Sequence, residues 1–434
     1  MVRRLEAAAP GFEQAFAEFL ALGRTQGADV AQDVAAILAA VRERGDAALI
    51  EYTKDFDGFE LEARSLAVTR KEVDAAVASA PRETVRALER AAERIIAYHE
   101  KQRPKDQRYR DADGIELGSR WTPVAAAGLY IPGGKAAYPS SVLMTALPAR
   151  AAGVERIAMT VPAPGGHLNP LVLAAARIAG IGEIYRVGGA QAVAALAFGT
   201  ETIAAVDKIV GPGNVYVAEA KRQVFGIVGI DSIAGPSEIL VVADAGSDPR
   251  WIAADLLSQA EHDEAAQAIL ITDDAGFADA TAAAVEVHLA ALPRAGIARA
   301  SWSNHGAIII VPDLAEAAPL IDRIAPEHLE LAVERPEDLA KRVRHAGAIF
   351  LGRYTPEAIG DYVAGPSHVL PTHRTARFSS GLSTLDFLKR TSIIACGPGG
   401  LAKIGPDAAV LAEAEGLHAH GLSVRLRLMP GEDA

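Results

Sequence analysis

Between Val124 and Leu351 short apolar runs alternate with segments of helical periodicity, and no other feature of the chain limits its fold so tightly. A strand that returns parallel to its predecessor needs a long crossover, usually a helix. Strands separated by helix-length segments therefore predict parallel sheets covered by helices. The first series places strands at Ala125–Ile131, Arg156–Val161, Ile184–Val187 and Lys208–Val210, with helices at Ser141–Ala152, Leu168–Ala179, Ala190–Phe198 and Val215–Gln223. The second series places strands at Glu238–Val242, Ala268–Thr272, Ala307–Val311, Leu329–Val333 and Ala348–Leu351. Its helices fall at Asp248–His262, Phe277–Leu292, Ala315–Ile324 and Pro336–Arg344. The fold class is α/β, read as two Rossmann-like lobes, with only faint repetition between them at residue level.

At 434 residues the chain exceeds one simple core, and four regions are expected. Residues 1–123 read as a helical region packing partly on the second lobe, because Val30–Arg44 and Arg70–Glu100 carry apolar residues at helical spacing. Residues 124–236 form the first lobe and 237–381 the second, which closes in a loop at Pro371–Gly381. Residues 382–434 form a tail in which Pro406–Leu417 is helix-like and Ser423–Leu428 alternates like a strand. The tail is too small for a core of its own, so it must pack on something else.

Charge and cysteine content narrow the function classes. A net charge of −12 argues against nucleic acid or an anionic membrane as the main partner. No apolar run approaches membrane-spanning length, and Met1-Val2-Arg3-Arg4-Leu5 leads into an amphipathic segment rather than a signal peptide. The single cysteine, Cys396, allows no internal disulfide and suits a reducing cytoplasm. Its neighbours Ile393-Ile394-Ala395 and Gly397-Pro398 supply no base, so it reads as a buried structural thiol rather than a nucleophile.

Chemistry is suggested by four segments taken as a set. Gln259 and His262, three residues apart at the end of a predicted helix, share one face and could grip one ion, although such pairs commonly form an ordinary solvated face. Ala325-Pro326-Glu327-His328 adds a carboxylate and an imidazole in a turn before a strand, since proline disfavours helix at Ala325. A structural His opening the strand is the plainer reading. Gly360-Asp361-Tyr362 offers an aspartate in a loop over Gly360–Gly365, which by itself is an ordinary turn residue. Glu415-Gly416-Leu417-His418-Ala419-His420 adds one more acid and two imidazoles. As a set they supply nitrogen and oxygen ligands for a zinc-like ion and a Glu-His pair able to move protons.

Glycine-rich turns end several strands of the first series: Tyr130-Ile131-Pro132-Gly133-Gly134, Gly188-Gly189-Ala190-Gln191 and Gly211-Pro212-Gly213-Asn214. Each opens a helix, where free backbone N–H groups attract phosphate. None matches the spacing of the usual dinucleotide fingerprint, and each is equally readable as a tight turn. Ser237, in Gly235-Pro236-Ser237-Glu238, sits at the junction of the lobes and alone reads as a turn residue.

These segments, in this order, resemble the histidinol dehydrogenases, and the likeness runs from about Gly128 to Arg425. It includes Gly128–Gly134, Gly188–Thr200, Val210–Asn214, Ala234–Glu238, Ser258–His262, Pro326–Leu329, Gly360–Tyr362, His368–Thr372 and Glu415–His420. The resemblance implies a zinc- and NAD-dependent enzyme that oxidises L-histidinol to L-histidine with two NAD, the last step of histidine biosynthesis. It implies one zinc per subunit, on Gln259, His262, Asp361 and His420, with His420 preferred to His418 by the spacing from Glu415. It implies Glu327 and His328 as general bases, and Tyr130, Gln191 and Asn214 as NAD contacts. Substrate contacts would be Ser237, Glu357, His368 and Glu415, together with His328 and the zinc ligands. The tail would be exchanged in a homodimer and complete the partner's site.

Three rivals stand beside this reading. A relative acting on another small alcohol, such as a sulfonated diol, would bring an anion against Glu357 and Glu415. A zinc hydrolase would leave the glycine-rich strand ends without a role. A zinc-stabilised binding protein would leave the Glu-His pair without one.

Overall fold

The computed structural model describes residues 2–22, 30–133 and 138–429, so Gly134 of the first glycine-rich loop lies outside the described residues. The chain divides into two compact units, one comprising residues up to Gln102 with Ala125–Phe387, the other Arg103–Val124 with Leu388–Ala434. The fold is mixed α/β with parallel sheets, as the alternation predicts.

The larger unit holds both parallel sheets. In the first, Glu183–Tyr185, Arg156–Thr160, Ala126–Tyr130, Lys208–Val210 and Gly229–Ile230 lie side by side in that order. The strand that comes first in the chain is thus central. In the second, Ala307–Ile310, Gln267–Thr272, Glu238–Ala243, His328–Ala332 and Ala348–Leu351 repeat the same order. Both sheets therefore change winding direction beside their first strand. The central strands are buried from end to end apart from Glu238, which is why they read as apolar runs. Side chains of the second sheet divide into two cores. Leu240, Val242, Leu329 and Leu331 face one layer, while Ile239, Val241, Ala243 and Ala332 face the helix Pro249–Ala260.

Several expectations need correction. The region 1–123 is not purely helical. Arg3–Glu6 pairs in parallel with Ala307–Ile310 and extends the second sheet. Gln107–Arg110 and Glu116–Pro123 are strands of a third, antiparallel sheet. The long helix over Arg70–Glu100 is two, Arg70–Ser79 and Arg82–Glu100, because Pro81 has no N–H to continue the ladder. Asp361 is not in a loop but on the short helix Glu357–Tyr362.

The smaller unit departs furthest from expectation. Leu388–Ala395 pairs antiparallel with Glu116–Pro123, so the tail shares its sheet with residues far earlier in the chain. Its first long helix starts at Pro398, ahead of Pro406, and runs to Ala414. Ser423–Leu428 belongs to the helix His418–Leu428. A Cβ on Gly405 would meet Val424 and Leu428, so residues four apart pack on one neighbour, a helical spacing. Leu and Arg are good helix formers, and no strand is offered for pairing. Cys396 is exposed, not buried, because the strand before it is mostly exposed along its length.

Candidate active site

The amino-terminal edge of the second sheet gathers the reactive groups. In a parallel unit the helix after a strand runs back across the sheet, so its last turn lies where the next strand begins. The helix Pro249–Ala260 follows Glu238–Ala243 and so carries Gln259 and His262 towards the edge opened by Glu238 and His328. Gln259 Nε2 and His262 Nδ1 lie 2.8 Å apart, so the two share one face as their spacing predicts. The helix Ala317–Ile324 ends on Ala325, whose φ of 47° is left-handed and turns the chain into Pro326, Glu327 and the strand.

Hydrogen bonding sets the state of His328. Its Nδ1 lies 2.9 Å from the carbonyl oxygen of Glu238. A carbonyl only accepts, so Nδ1 carries the hydrogen and Nε2 presents a lone pair. Nε2 has no hydrogen-bond partner and lies 3.7 Å from Glu357 Oε1 and 3.8 Å from Asp361 Oδ1. Burial holds the imidazole below its ordinary pKa, which keeps it neutral and ready to take a proton. Beside it, Glu327 Oε2 accepts from the backbone N–H of Glu238 at 2.9 Å. Burial, reinforced by Glu238, Asp361 and Glu357, raises Glu327 well above the ordinary carboxyl range.

The short helix Glu357–Tyr362 places Glu357 and Asp361 four residues apart, on one face. Glu357 is fully buried, and Ser258 Oγ donates to its Oε2 at 3.2 Å. Burial, then Asp361, pushes Glu357 up to about 7. Burial also raises Asp361, although the Glu357 hydrogen bond and the charge of His262 pull the other way. His368 Nδ1 lies 3.0 Å from the Asp361 carbonyl oxygen and its Nε2 lies 3.3 Å from Ser141 Oγ. Burial lowers His368 to about 4. Ser141 belongs to the helix Pro139–Ala152, which follows the central strand of the first sheet, so the two sheets meet across His368. Ser237 immediately precedes the strand Glu238–Ala243 and is half-buried, its carbonyl taken by the N–H of Gln267 at 3.0 Å.

The arrangement suits a cation. Gln259 Oε1, His328 Nε2 and Glu357 Oε1 are all buried without a hydrogen-bond partner. Leaving a buried polar atom unpaired costs roughly 1–3 kcal/mol, so three in one place mark a site built for a ligand. Amide oxygen, imidazole nitrogen and carboxylate are a donor set that zinc accepts. Among the described residues, His328, Glu357 and Asp361 offer ligand atoms within 4.8 Å of one another. Of the expected zinc set only Asp361 belongs to that trio. His262 stands beside Gln259 at the end of the helix that reaches this edge. Glu415 and His420 belong to the smaller unit, Glu415 ending one helix and His420 in the first turn of the next, both exposed.

The first sheet offers its opposite, carboxyl-terminal edge. Ligands of such sheets bind where the winding direction changes, here between Ala126–Tyr130 and Lys208–Val210. Tyr130 is buried and its hydroxyl accepts from the N–H of Gly189 at 3.1 Å. Burial pushes that phenol up to about 12, so it stays protonated. Gln191 is buried with Oε1 unpartnered. Asn214 caps the helix Val215–Val224, its Oδ1 accepting from Tyr216 and Val217 N–H groups. Gly211 has a φ of 119°, and a Cβ there would strike the Tyr130 carbonyl oxygen, so only glycine fits.

Several residues at these edges were not singled out from sequence. Lys221 and Asp231 form a fully buried ion pair. Lys221 Nζ donates to the Gly211 carbonyl at 3.0 Å and Asp231 Oδ2 accepts from the Gly211 N–H at 2.7 Å, so the pair holds this turn from both sides. Glu238 receives His373 N–H at 2.9 Å, and burial pushes its carboxyl up to about 7. A usable signal existed for Glu330: an acid alternating with leucines in His328-Leu329-Glu330-Leu331, in a strand buried on both faces.

Comparison with known proteins identifies the family of the chain. The family model described as histidinol dehydrogenase matches residues 22–428. A curated histidinol dehydrogenase of Rhodospirillum rubrum is 65% identical over 432 residues, 99% of this chain and 100% of that one. One from Rhizobium meliloti is 61% identical over 433 residues, covering 100% of both chains. The crystal structure of histidinol dehydrogenase from Elizabethkingia anophelis superposes with a TM-score of 0.94 at 36% identity, covering 98% of each chain. A family match over nearly the whole length, joined to identity this high, shows that the chain belongs to the histidinol dehydrogenase family of oxidoreductases.

Proposed function

We propose that this chain oxidises L-histidinol to L-histidine through L-histidinaldehyde, with NAD as acceptor in both steps, at the end of histidine biosynthesis in the cytoplasm. One observation carries the reading. His328 is locked by Glu238 into the tautomer that presents a bare Nε2 to Glu357 and Asp361, with Glu327 on the Nδ1 side. Zinc held by Gln259, His262, Asp361 and His420 would supply a fixed positive centre for the imidazole and amine nitrogens of the substrate. NAD held near Tyr130, Gln191 and Asn214 would supply the hydride acceptor.

The chain's own groups do the rest. His328 Nε2 takes the hydroxyl proton as the alcohol is oxidised, and Glu327 with His328 takes a proton from the water that adds to the aldehyde. Glu357, Glu415, Ser237 and His368 would orient the substrate. An acid-rich site favours a cationic amine–imidazole and repels the sulfonate of the rival diol. Apolar side chains exposed on the tail helices, Val410, Leu411, Leu422 and Leu426 among them, support a homodimer in which the tail covers its partner.

Purified protein with L-histidinol and NAD provides the test. Two NADH per histidinol consumed, activity lost on chelation and regained with zinc, is the expected result; no NAD reduction overturns the reading. Mixing His420→Asn with His262→Asn chains under subunit exchange should restore activity from two inactive parents. Absence of recovery, with exchange demonstrated, would put all ligands in one chain. His420→Asn should also weaken zinc retention more than His418→Asn.

A further inference from the structure

One turn of the larger unit has a costly backbone conformation, and no step above uses it. His373 and Arg374 have φ of 52° and 62°, two successive left-handed residues of which neither is glycine. A side chain crowds its own backbone there, so the conformation persists only where the surroundings impose it, and it concentrates beside functional sites. Here the surroundings are the residues that open the strand Glu238–Ala243. Thr372 is buried, and its Oγ1 accepts from the backbone N–H of Gly235 at 2.6 Å. One residue on, the His373 N–H donates to Glu238 Oε1 at 2.9 Å. The His373 ring lies so close to Gly235 that a Cβ there would meet it at 2.4 Å. Thr375 closes the turn from the other side, donating to the Thr372 carbonyl from its N–H at 3.0 Å and its hydroxyl at 2.6 Å.

Both links from the turn end on Gly235–Glu238, and Glu238 is where the two proposed bases are held. Its backbone N–H donates to Glu327 Oε2 at 2.9 Å, and its carbonyl accepts from His328 Nδ1 at 2.9 Å. One residue thus aims a carboxyl group with its N–H and an imidazole with its carbonyl. Such aim is only as good as the backbone is fixed, and the chain enters this strand through a glycine, the residue with the widest choice of conformation. We propose that Thr372 and His373 are positioning residues for the oxidation. Their turn pins Gly235 and the Glu238 side chain, and so fixes the two Glu238 backbone groups that orient Glu327 and His328. Neither residue needs to touch substrate to do this. Because one residue holds both bases, loosening it should slow both half-reactions alike.

The positioning role rests on the oxidation proposed above; the two links do not, so each has its own measurement. Thr372→Val keeps the shape of the side chain and removes the acceptor, whereas Thr372→Ser keeps the acceptor. In the valine variant kcat should fall about 10-fold, equally for L-histidinol and for supplied L-histidinaldehyde, with little change in the KM for NAD and with zinc retained. The serine variant should stay within a factor of about 3 of wild type. Full kcat in Thr372→Val, or a serine variant as slow as the valine one, overturns the positioning role. Thr372→Ala removes the same acceptor without new bulk and gives the same reading should the valine variant not fold. Amide hydrogen exchange of the metal-free protein reads the link without any activity. Exchange at Gly235 should quicken about 10-fold in Thr372→Val and not in Thr372→Ser, while the strand Gln267–Thr272 keeps its wild-type rate. Unchanged exchange at Gly235 in the valine variant overturns the link even if the enzyme oxidises histidinol. Quickened exchange that serine reverses supports the link even if the substrate assignment fails.

Discussion

The two parallel sheets share the order of their last five strands, and the proposed function would use them from opposite ends. The first would hold NAD at the carboxyl-terminal edge beside its change of winding, as open α/β sheets usually bind ligands. Its tools are backbone groups on glycine turns, held by Tyr130 and by the buried Lys221–Asp231 pair. The second places Glu238, Glu327 and His328 at the amino-terminal edge, and the helix Pro249–Ala260 delivers Gln259 and His262 there. At its own carboxyl edge Arg353 donates to Asp244 at 2.6 Å. The difference teaches that strand order supplies a frame, while the location of buried polar atoms selects the end that reacts. One edge presents turns held in place from behind; the other gathers unpaired imidazole and carboxylate atoms.

Substitutions can break this contrast, and the largest effect should come from the second sheet. His328→Asn should slow both half-reactions by about 10²–10⁴-fold, the usual cost of losing a general base. Glu327→Gln should slow oxidation of supplied L-histidinaldehyde more than that of L-histidinol, so that in stopped flow the first NADH forms and the second lags. Equal slowing of both steps by Glu327→Gln would remove the proposed division of labour.

On the first sheet the corresponding blow falls on stability. Lys221→Met leaves Asp231 buried and unpaired, which should cost about 3–5 kcal/mol in denaturant unfolding. Adding Asp231→Leu should restore much of that stability but not the KM for NAD, because the Gly211 turn stays unheld. Recovery of both would mean the pair serves packing alone.

A third measurement sharpens the contrast through pH. Glu238 and Glu357 are raised to about 7 and Glu330 to about 9, all chiefly by burial. Between the ordinary carboxyl range and these values the folded state binds more protons than the unfolded one, so stability falls as pH rises. Metal-free protein should therefore melt at a higher temperature near pH 7, above the ordinary histidine range, than near pH 9, with Glu330→Gln flattening the upper part of the slope. A melting temperature that rises across this range would contradict the buried acids. The smallest effect is expected at Tyr130→Phe, which removes one acceptor from the Gly189 N–H. It should cost about 1 kcal/mol of stability and raise the KM for NAD with little change in kcat.

Much of the frame was legible from residues alone. Apolar runs such as Glu238–Val242 and Ala268–Thr272 lie within one residue of the observed strands, because strands buried on both faces tolerate little else. Gln259 and His262 share a face as their spacing requires. Readings failed where the partner decided the structure. Ser-Val-Arg-Leu-Arg-Leu alternates like a strand, yet it lies in the helix His418–Leu428, whose Val424 and Leu428 pack on Gly405. Cys396 follows apolar residues, yet the preceding strand is mostly exposed. Glu330 went unnoticed because a lone acid in a strand looks like a solvent-facing position until both faces are seen covered.

The sequence by itself determined the parallel α/β class, the family, and the short list of residues able to carry the chemistry. Those follow from local periodicity, turn residues and the order of motifs, which a linear chain displays. Only the tertiary structure decided which residues meet at the edge of the second sheet, which His328 nitrogen is free, and which carboxyls are buried. Those depend on distances of a few ångströms between residues far apart in the chain. They depend equally on burial, which turns an ordinary carboxylate into a neutral donor once water is removed.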